Sequence, residues 1–598
     1  MMTRLTVVFV MTCVLLACKT GGDKATADPR REAARTGDPA AVPLRGAVPP
    51  GAVAAAPQPG SPSAAPGAAA VGTSAPAVGT ATTADEQEPN DDVKTATPLA
   101  LETAMRATLK AAPGAKKSDE DWFKVTTADE KGILSVEVTG VPGMKLGVEL
   151  FDAQKRLIAS AVGSVGEAVV FPNLGVKKGD SYVRVRERTR GKAAVESDTP
   201  YTITATTATR LETEEVEPNN RAVDATPLEE GKTMSGFMSP RGDEDWWKIV
   251  LPESKGDKEK GDKGADKAGA SFLRVSVKGV ATGDGRVAIV DSIGAKVTEQ
   301  ALKAGGEVVF PNVGIKEGSK QMHVVVKTVG LGSAKERYEV TAKVEKSTGD
   351  MEIEPNDSDK HATPLTVGKP IRGFMASAKD VDWYSFKVTE PSVARIELGG
   401  VERVDHALEV VGARGEKLAR SDDGRAKESE TVTNVFLPVG EAFVRVSSAR
   451  KGGENIDETY ELAVTLRAAP DDEEREPNNG DKQANELSSG KTLLGYIHPK
   501  KDRDFYQFVL REEKKVVVSV IGIAKVGLAV SLVDEKGAIV ADGRGPAGGD
   551  VAFDKKIPAG TYRVVVEQNL QPAKGKKGKP RTESNPRDPY KLTLKVEL

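Results

Sequence analysis

One short pattern, E-x-E-P-N-D/N, occurs four times and constrains this chain more than any other feature: Glu86-Gln87-Glu88-Pro89-Asn90-Asp91, Glu215-Val216-Glu217-Pro218-Asn219-Asn220, Glu352-Ile353-Glu354-Pro355-Asn356-Asp357 and Glu474-Arg475-Glu476-Pro477-Asn478-Asn479. Roughly 30 residues after each copy stands D-x-D followed by two aromatic residues: Asp119-Glu120-Asp121-Trp122-Phe123, Asp243-Glu244-Asp245-Trp246-Trp247, Asp380-Val381-Asp382-Trp383-Tyr384 and Asp502-Arg503-Asp504-Phe505-Tyr506. The paired signature recurs about every 120 to 137 residues. Solenoid repeats run to about 20 to 50 residues, so each unit here is long enough to hold a core of its own.

Within each unit the apolar residues alternate with period two in short bursts, the mark of half-buried strands. In the first unit the bursts are Met105 to Leu109, Trp122 to Val125, Ile133 to Val138, Leu146 to Phe151, Arg156 to Ala161, Ala168 to Phe171, Tyr182 to Arg186 and Tyr201 to Ala205. Gly, Asn, Asp and Pro separate them at roughly 8 to 15 residue intervals, which predicts an all-β chain of four tandem antiparallel β-sandwiches, jelly-roll-like, over 85–211, 212–348, 349–470 and 471–598. Phe171-Pro172-Asn173-Leu174-Gly175 matches Phe310-Pro311-Asn312-Val313-Gly314, and more loosely Leu437-Pro438-Val439-Gly440 and Ile557-Pro558-Ala559-Gly560. Each unit closes on an alternating strand led by Tyr201, Tyr338, Tyr460 or Tyr590.

The N-terminal segment is of another kind. Arg4 followed by an apolar run from Leu5 to Leu16 is too short to span a bilayer and reads as a signal peptide over 1–17. The run ends Leu15-Leu16-Ala17-Cys18, which resembles the bacterial lipobox and makes Cys18 the expected lipidation site; ordinary cleavage after Ala17 is the alternative. Acyl chains on Cys18 would anchor the protein to a membrane, and Lys19 in place of the aspartate that resembles an inner-membrane retention signal favours the outer membrane or cell surface. The remaining cysteine, Cys13, lies inside the signal, so the mature chain has no internal disulfide. From Cys18 to residue 84 the chain is rich in Ala, Pro, Gly, Ser and Thr and reads as a disordered tether, with a reach of roughly 200 Å if fully extended.

With 85 basic against 88 acidic residues the chain lacks the net basic character that nucleic-acid binding requires. Two Lys/Gly-rich stretches, 253–270 and 571–589, read as solvated loops, with contact to an acidic polysaccharide or lipid head group as the alternative.

The ordered landmarks together carry a resemblance. E-x-E-P-N-D/N, then Ala96 to Leu99, Ala225 to Leu228 or Ala362 to Leu365, then D-x-D with its aromatics and a closing Tyr strand look like the bacterial pre-peptidase C-terminal domain, which is similar to the collagen-binding domains of clostridial collagenases. The resemblance covers about 85% of the chain in four copies. It implies a β-sandwich that holds calcium near its N-terminal acidic stretch. The chain departs from the family in carrying no peptidase domain.

Elementary geometry points the same way. Glu86 and Glu88 lie two residues apart, so both carboxylates share one side of an extended segment; Pro89 keeps Glu88 out of the helical region, and Asn90-Asp91 suits a tight turn. Asp119 and Asp121 likewise share a face. If the two halves meet, five carboxylates and an amide oxygen converge, and like charges so close need neutralising. A hard, oxygen-preferring cation such as Ca²⁺ does this with six to eight ligands. The expected ligands are Glu86, Glu88, Asn90, Asp91, Asp119 and Asp121, then Glu215, Glu217, Asn219, Asn220, Asp243 and Asp245, then Glu352, Glu354, Asn356, Asp357, Asp380 and Asp382, and last Glu474, Glu476, Asn478, Asn479, Asp502 and Asp504. Asp91 and Asp357 should give units one and three the tighter sites. The alternative is that the glutamates start a turn and the D-x-D pair caps backbone amides.

Trp122, Trp246 and Trp383 are expected in the core, because one member of each aromatic pair must face inward. The four histidines, His323, His361, His406 and His498, stand at non-equivalent positions, and the chain contains no H-E-x-x-H, G-x-S-x-G or P-loop pattern. The expected function is therefore non-catalytic: a lipid-anchored envelope protein that binds a polymer such as polysaccharide, peptidoglycan or a fibrous protein. A spacer or assembly part of an envelope complex and an accessory subunit of a secreted peptidase are the alternatives.

Overall fold

The computed structural model describes residues 84–110, 118–189, 197–252, 271–449, 453–570 and 582–597. The signal peptide, Cys18, the tether up to residue 83, the 253–270 stretch and 571–581 lie outside them. The chain divides between Ala77 and Val78 into two units, and all described residues belong to the second. Among the described residues no helix is long and apolar enough to cross a membrane.

The described strands form eight sheets that pair into four sandwiches, each around its own apolar cluster. In the first sandwich the strands are β1 (Ala84–Asp85), β2 (Thr97–Pro98), β3 (Met105–Ala107), β4 (Glu120–Thr127), β5 (Gly132–Val138), β6 (Leu146–Phe151), β7 (Leu157–Val162), β8 (Val169–Val176), β9 (Gly179–Glu187) and β10 (Tyr201–Thr209). One sheet has the order β1-β3-β10-β5-β8 and the other β2-β4-β9-β6-β7. All pairings are antiparallel except the short β1·β3 and β2·β4 contacts. Successive long strands cross between the sheets, apart from the β6–β7 hairpin, and this order is that of a jelly roll. All eight strands expected from alternation are present; only the two-residue pieces β1 and β2 had no periodic signal to betray them.

Alternation builds each core. Along β4 the inward residues are Asp121, Phe123, Val125 and Thr127, all buried, with the residues between them less so. Because Asp121 faces inward, the residue next to it must face outward. Trp122, Trp246 and Trp383 therefore sit half-buried on the outer face, not in the core as expected, and the second aromatic of each pair, Phe123, Trp247, Tyr384 or Tyr506, is the fully buried one.

The looser sequence landmarks also need correcting. Phe171 to Gly175 lies inside β8, whereas Gly440 pairs with Val388 as Gly179 pairs with Thr127, so Leu437-Pro438-Val439-Gly440 matches the β8–β9 turn instead. The counterpart of Asn173 is Asn434, since Leu174 faces Leu134 as Val435 faces Ala394.

The closing tyrosines are completely buried and fix a close backbone approach opposite them. Tyr460 pairs with Gly373, where a Cβ would stand 2.4 Å from the Tyr460 hydroxyl and 2.6 Å from that of Tyr384. Gly236 and Gly495 hold the same position opposite Tyr338 and Tyr590. The first sandwich has Ala107 there, opposite Tyr201, and its second aromatic is Phe123, which has no hydroxyl to clash. Gly373→Ala should therefore destabilise the third sandwich by about 1 to 3 kcal/mol through overpacking. Chemical denaturation checks this, and an unchanged midpoint would contradict the packing account.

Candidate metal centres

The two halves of the signature meet in all four sandwiches. The peptide N–H that opens the core strand donates to the carbonyl of the motif asparagine: Trp122 to Asn90 (3.1 Å), Trp246 to Asn219 (3.2 Å), Trp383 to Asn356 (3.1 Å) and Phe505 to Asn478 (3.1 Å). The Glu-Pro peptide is cis in every copy. Each asparagine N–H donates to the second glutamate of its motif, from 2.8 Å at Glu88 to 2.9 Å at Glu217. Each first glutamate accepts a backbone N–H from the β3 side: Thr108 to Glu86 (2.7 Å), Phe237 to Glu215 (2.6 Å), Phe374 to Glu352 (2.6 Å) and Tyr496 to Glu474 (2.7 Å).

This scaffold gathers oxygens. Glu86, Glu88 and Asp121 place one carboxylate oxygen each within 4.8 Å of one another, as do Glu215, Glu217 and Asp245, Glu352, Glu354 and Asp382, and Glu474, Glu476 and Asp504. Calcium–oxygen bonds measure about 2.3 to 2.6 Å, so such triplets can share one ion. Several of the gathered oxygens lack any hydrogen-bond donor: Asn90 Oδ1 and Asp121 Oδ1 in the first centre, Glu217 Oε1, Asn219 Oδ1 and Asp245 Oδ1 in the second, Glu354 Oε1, Asn356 Oδ1 and Asp382 Oδ1 in the third. In the fourth, the Asn478 amide can turn its nitrogen to Glu476 Oε1 (3.2 Å) and Asp504 Oδ1 (3.2 Å), so the orphaned oxygens are those of the first three centres. Buried acceptors are normally satisfied, and a set of orphans that repeats in sandwich after sandwich fits a hard cation.

The other expected ligands have different places. Asp119, Asp380 and Asp502 accept backbone N–H bonds from Lys110 (2.6 Å), Ala376 (2.6 Å) and His498 (2.8 Å), which staples the loop before β4 or its counterpart. Asp243 is buried with Oδ2 unpartnered. Asp91 Oδ1, Asn220 Oδ1 and Asn479 Oδ1 accept the N–H of Glu120, Glu244 and Arg503 at the rim, and Asp357 is exposed. Asn220 and Asn479 also donate to Glu217 and Glu476.

Behind the carboxylates lies a layer of phenols that the sequence reading treated only as strand landmarks. Tyr201, Tyr460 and Tyr590 donate to Asp121, Asp382 and Asp504, while Tyr338 donates to Glu215 (3.2 Å) and accepts from Trp247 Nε1 (2.8 Å). Tyr384 and Tyr506 add bonds to Glu352 (2.7 Å) and Glu474 (2.9 Å). The signal was present in the sequence: the strand leader is Tyr in all four units.

Without a counter-charge these carboxyls titrate abnormally. Burial, reinforced by neighbouring carboxylates, pushes Asp121 up to about 9 and Glu215 up to about 8. Burial likewise raises Glu217, Asp380 and Glu476 to about 7. Asp245, Glu354, Asp382, Glu474, Asp502 and Asp504 are pushed well above the carboxylate range for the same reason. Of the histidines, His323 and His406 are buried with both ring nitrogens unpartnered, burial lowers His406 to about 4, and His361 Nδ1 meets the Ser358 hydroxyl (3.2 Å) on an exposed turn.

Fold and centres together define a class: serial jelly-roll β-sandwiches, each with a buried acidic cluster where its N-terminal motif meets its first long core strand. No family model matches the sequence, and no curated protein matches it. Among solved structures, similarities are found to the pre-peptidase C-terminal domain of a collagenase from Bacillus anthracis (21% identity, 20% of this chain and 100% of that one, TM-score 0.15). Others are the BSP domain of a biofilm-associated protein (9% identity, 76% and 90%, TM-score 0.13) and tripeptidyl peptidase 2, of which this chain spans about a third (8% identity, 79% and 32%, TM-score 0.13). At such TM-scores they add nothing to the strand order above.

A raised carboxyl pKa means that the folded state binds the proton more tightly than the unfolded one, so its contribution to stability is present below the ordinary carboxylate pKa and is lost as pH rises through the folded value. Chelated protein should therefore melt at progressively lower temperature as pH climbs from about 5 to about 9, and excess calcium should remove that slope by binding the ionised form. Melting curves at stepped pH check this; a chelated protein whose melting temperature is flat or rises over that range would contradict it.

Proposed function

We propose that this chain is a non-catalytic, calcium-stiffened array of four sandwiches of the pre-peptidase C-terminal type, held at the bacterial envelope by a lipid on Cys18 and acting by binding. The observation that carries the reading is the repetition of one orphaned oxygen cluster at the same place in sandwich after sandwich. A paired-carboxylate catalyst needs a cleft that admits substrate. Here Glu215, Glu352 and Glu474 are at most 1% exposed, and Asp245, Asp382 and Asp504 are as deep. Such groups are placed to hold an ion, not to meet a polymer.

The binding face is better sought on the outer sheet, where the first aromatic of each pair lies half-buried. Across the strands Trp122 is followed by Arg184 and Glu149, and Trp383 by Arg445 and Glu409. Arg184 lies 5.2 Å from the Trp122 ring centre and ion-pairs with Glu149; Arg445 pairs with Glu409 (2.8 Å). The same row reads Trp246, Val325 and Ala288 in the second sandwich, and Phe505, Val565 and Ser531 in the fourth. Sandwiches one and three thus share an aromatic and cationic row, its arginine tied to a carboxylate that is buried in the third (Glu409), which suits two-point attachment to a repeating polymer such as polysaccharide or peptidoglycan. The unlike rows of sandwiches two and four favour the second reading, a spacer, for those two.

Thermal unfolding with calcium and with a chelator tests the ion: a ligand at 100 times its dissociation constant adds about 2.7 kcal/mol per site, and superimposable curves would sink the calcium reading. Sedimentation with purified peptidoglycan or envelope polysaccharide tests the face. Trp122→Ala with Trp383→Ala should lose most of the retention, whereas Trp246→Ala should lose little; equal retention by all variants would favour the spacer.

A further inference from the structure

The four centres differ in what covers them. In sandwiches two, three and four the motif pairs in parallel with the preceding sandwich, through bridges of Leu174 with Glu217, Val313 with Glu354 and Val435 with Glu476. Glu217 N–H donates to Asn173 O (3.0 Å) and Gly175 N–H to Glu217 O (2.8 Å). The next junction repeats this with Glu354 to Asn312 (3.0 Å) and Gly314 to Glu354 (2.7 Å), and the last with Glu476 to Asn434 (2.9 Å) and Phe436 to Glu476 (2.8 Å). At the first two junctions the approach leaves no room for a side chain, since a Cβ on Gly175 would stand 2.6 Å from Val216 and one on Gly314 2.6 Å from Ile353, whereas at the third Phe436 holds this position with Arg475 over its ring (5.5 Å).

Each asparagine owes its position to a β-bulge. The ladder between β5 and β8 shifts register between Leu134 and Val136, and the equivalent ladders shift between Leu273 and Val275 and between Ala394 and Ile396. A bulge releases backbone groups from the ladder and re-aims a side chain. Asn173 Nδ2 consequently reaches Glu215 Oε1 (3.0 Å), and Asn312 Nδ2 reaches Glu352 Oε1 (3.4 Å), each from the preceding sandwich into the next centre. Asn434 Nδ2 has no such bond, and its Oδ1 accepts from Arg467 (2.9 Å). The corresponding ladder of the fourth sandwich runs without a shift from Ile557 to Val551. At the other end, Glu88 of the first centre is exposed while Glu217 and Glu476 are buried.

We propose that the second and third centres are two-domain sites, at which binding of the cation and docking of the preceding sandwich are a single coupled equilibrium. The inference rests on the calcium reading above. That these are ion sites at all is indicated by Asn219 and Asn356, 0% exposed, each with a partnerless Oδ1. The coupling has an identifiable carrier in Glu217 and Glu354. Their peptide groups hold the preceding sandwich, and their carboxylates face the ion. At the fourth centre Glu476 makes the same bridge, but the Asn434 amide does not reach the first glutamate. An ion that fixes the carboxylate fixes the bridge, and a docked bridge pre-orders the carboxylate, so each must strengthen the other by the same factor. Asn173 and Asn312 add to this by fixing the orientation of the first glutamate. Among the described residues nothing covers the first centre in this way, and its occupancy leaves the three junctions unaffected.

Calorimetric titration of the full chain with calcium, paired with small-angle scattering with calcium and with a chelator, tests the proposal. Removing a hydrogen bond to a charged group should weaken one site about tenfold in Asn173→Ala and likewise in Asn312→Ala. Asn434→Ala, whose amide touches no carboxylate of the centre, should leave all affinities unchanged. Glu86→Gln should abolish one site without altering the scattering. Wild-type protein should show a narrower distribution of dimensions with calcium than without, a readout that needs no variant to fold. Calcium bound with unchanged affinity in both asparagine variants and identical scattering with and without calcium would overturn the coupling while leaving the calcium reading intact. A wild-type chain that binds no calcium would overturn both.

Discussion

Three carboxylates brought within a single ion's reach are a liability for any fold, because burial strips their hydration while proximity sets them against one another. This chain creates the situation four times and builds the ends of its sandwiches around it. A backbone N–H is aimed at the first glutamate, the asparagine N–H at the second, and in three of the four sandwiches a phenol at the aspartate. Each donor reduces the repulsion, yet the oxygens nearest the middle keep no donor. Hydrogen bonds hold the carboxylates in place, and the proposed divalent charge would remove the strain that they leave.

That division of labour explains residues that look unrelated in the sequence. The tyrosine at the head of each closing strand must reach a carboxylate across the core, so it is buried and its ring fills the space opposite. The strand facing it then has room for no side chain larger than hydrogen where a second hydroxyl points there, at Gly373 and Gly495, or where the first glutamate's carboxylate does, at Gly236. Where Phe123 supplies no hydroxyl, Ala107 is admitted. One aromatic choice at the D-x-D motif thus sets a backbone residue on another strand.

Much of this was legible beforehand. The eight strands β3 to β10 of the first sandwich follow from period-two alternation, and the nearly fixed separation of the two acidic motifs suggests, without requiring, that they meet. Three things were not legible, each for a physical reason. Alternation states that one member of each aromatic pair faces inward but not which one, so it does not distinguish Trp122 from Phe123. A carboxylate took the inner place because its partners were there. The register of the third unit was mistaken because a turn with Pro and Gly resembles a bulge with Pro and Asn, although only the bulge carries Asn434. Finally, nothing within one unit indicates that its Asn173 or Asn312 completes the centre of the next.

The last point gives the array a direction. Every sandwich that offers a bulged asparagine has a motif lying on it, and the fourth offers none, so the receptor is absent where the ladder runs true. The first sandwich offers a bulge but has its own glutamate segment open. Charge and burial then pull against each other at the first centre. Asp91 adds a carboxylate near the rim, which favours the cation, while exposure of Glu88 leaves that carboxylate hydrated and unconstrained, which disfavours it. Pre-organisation acts on every ligand of a site and the extra rim charge is screened by solvent, so burial should dominate and the interior centres should fill first. The array would then stiffen from its interior junctions outward, with its N-terminal sandwich the last to respond.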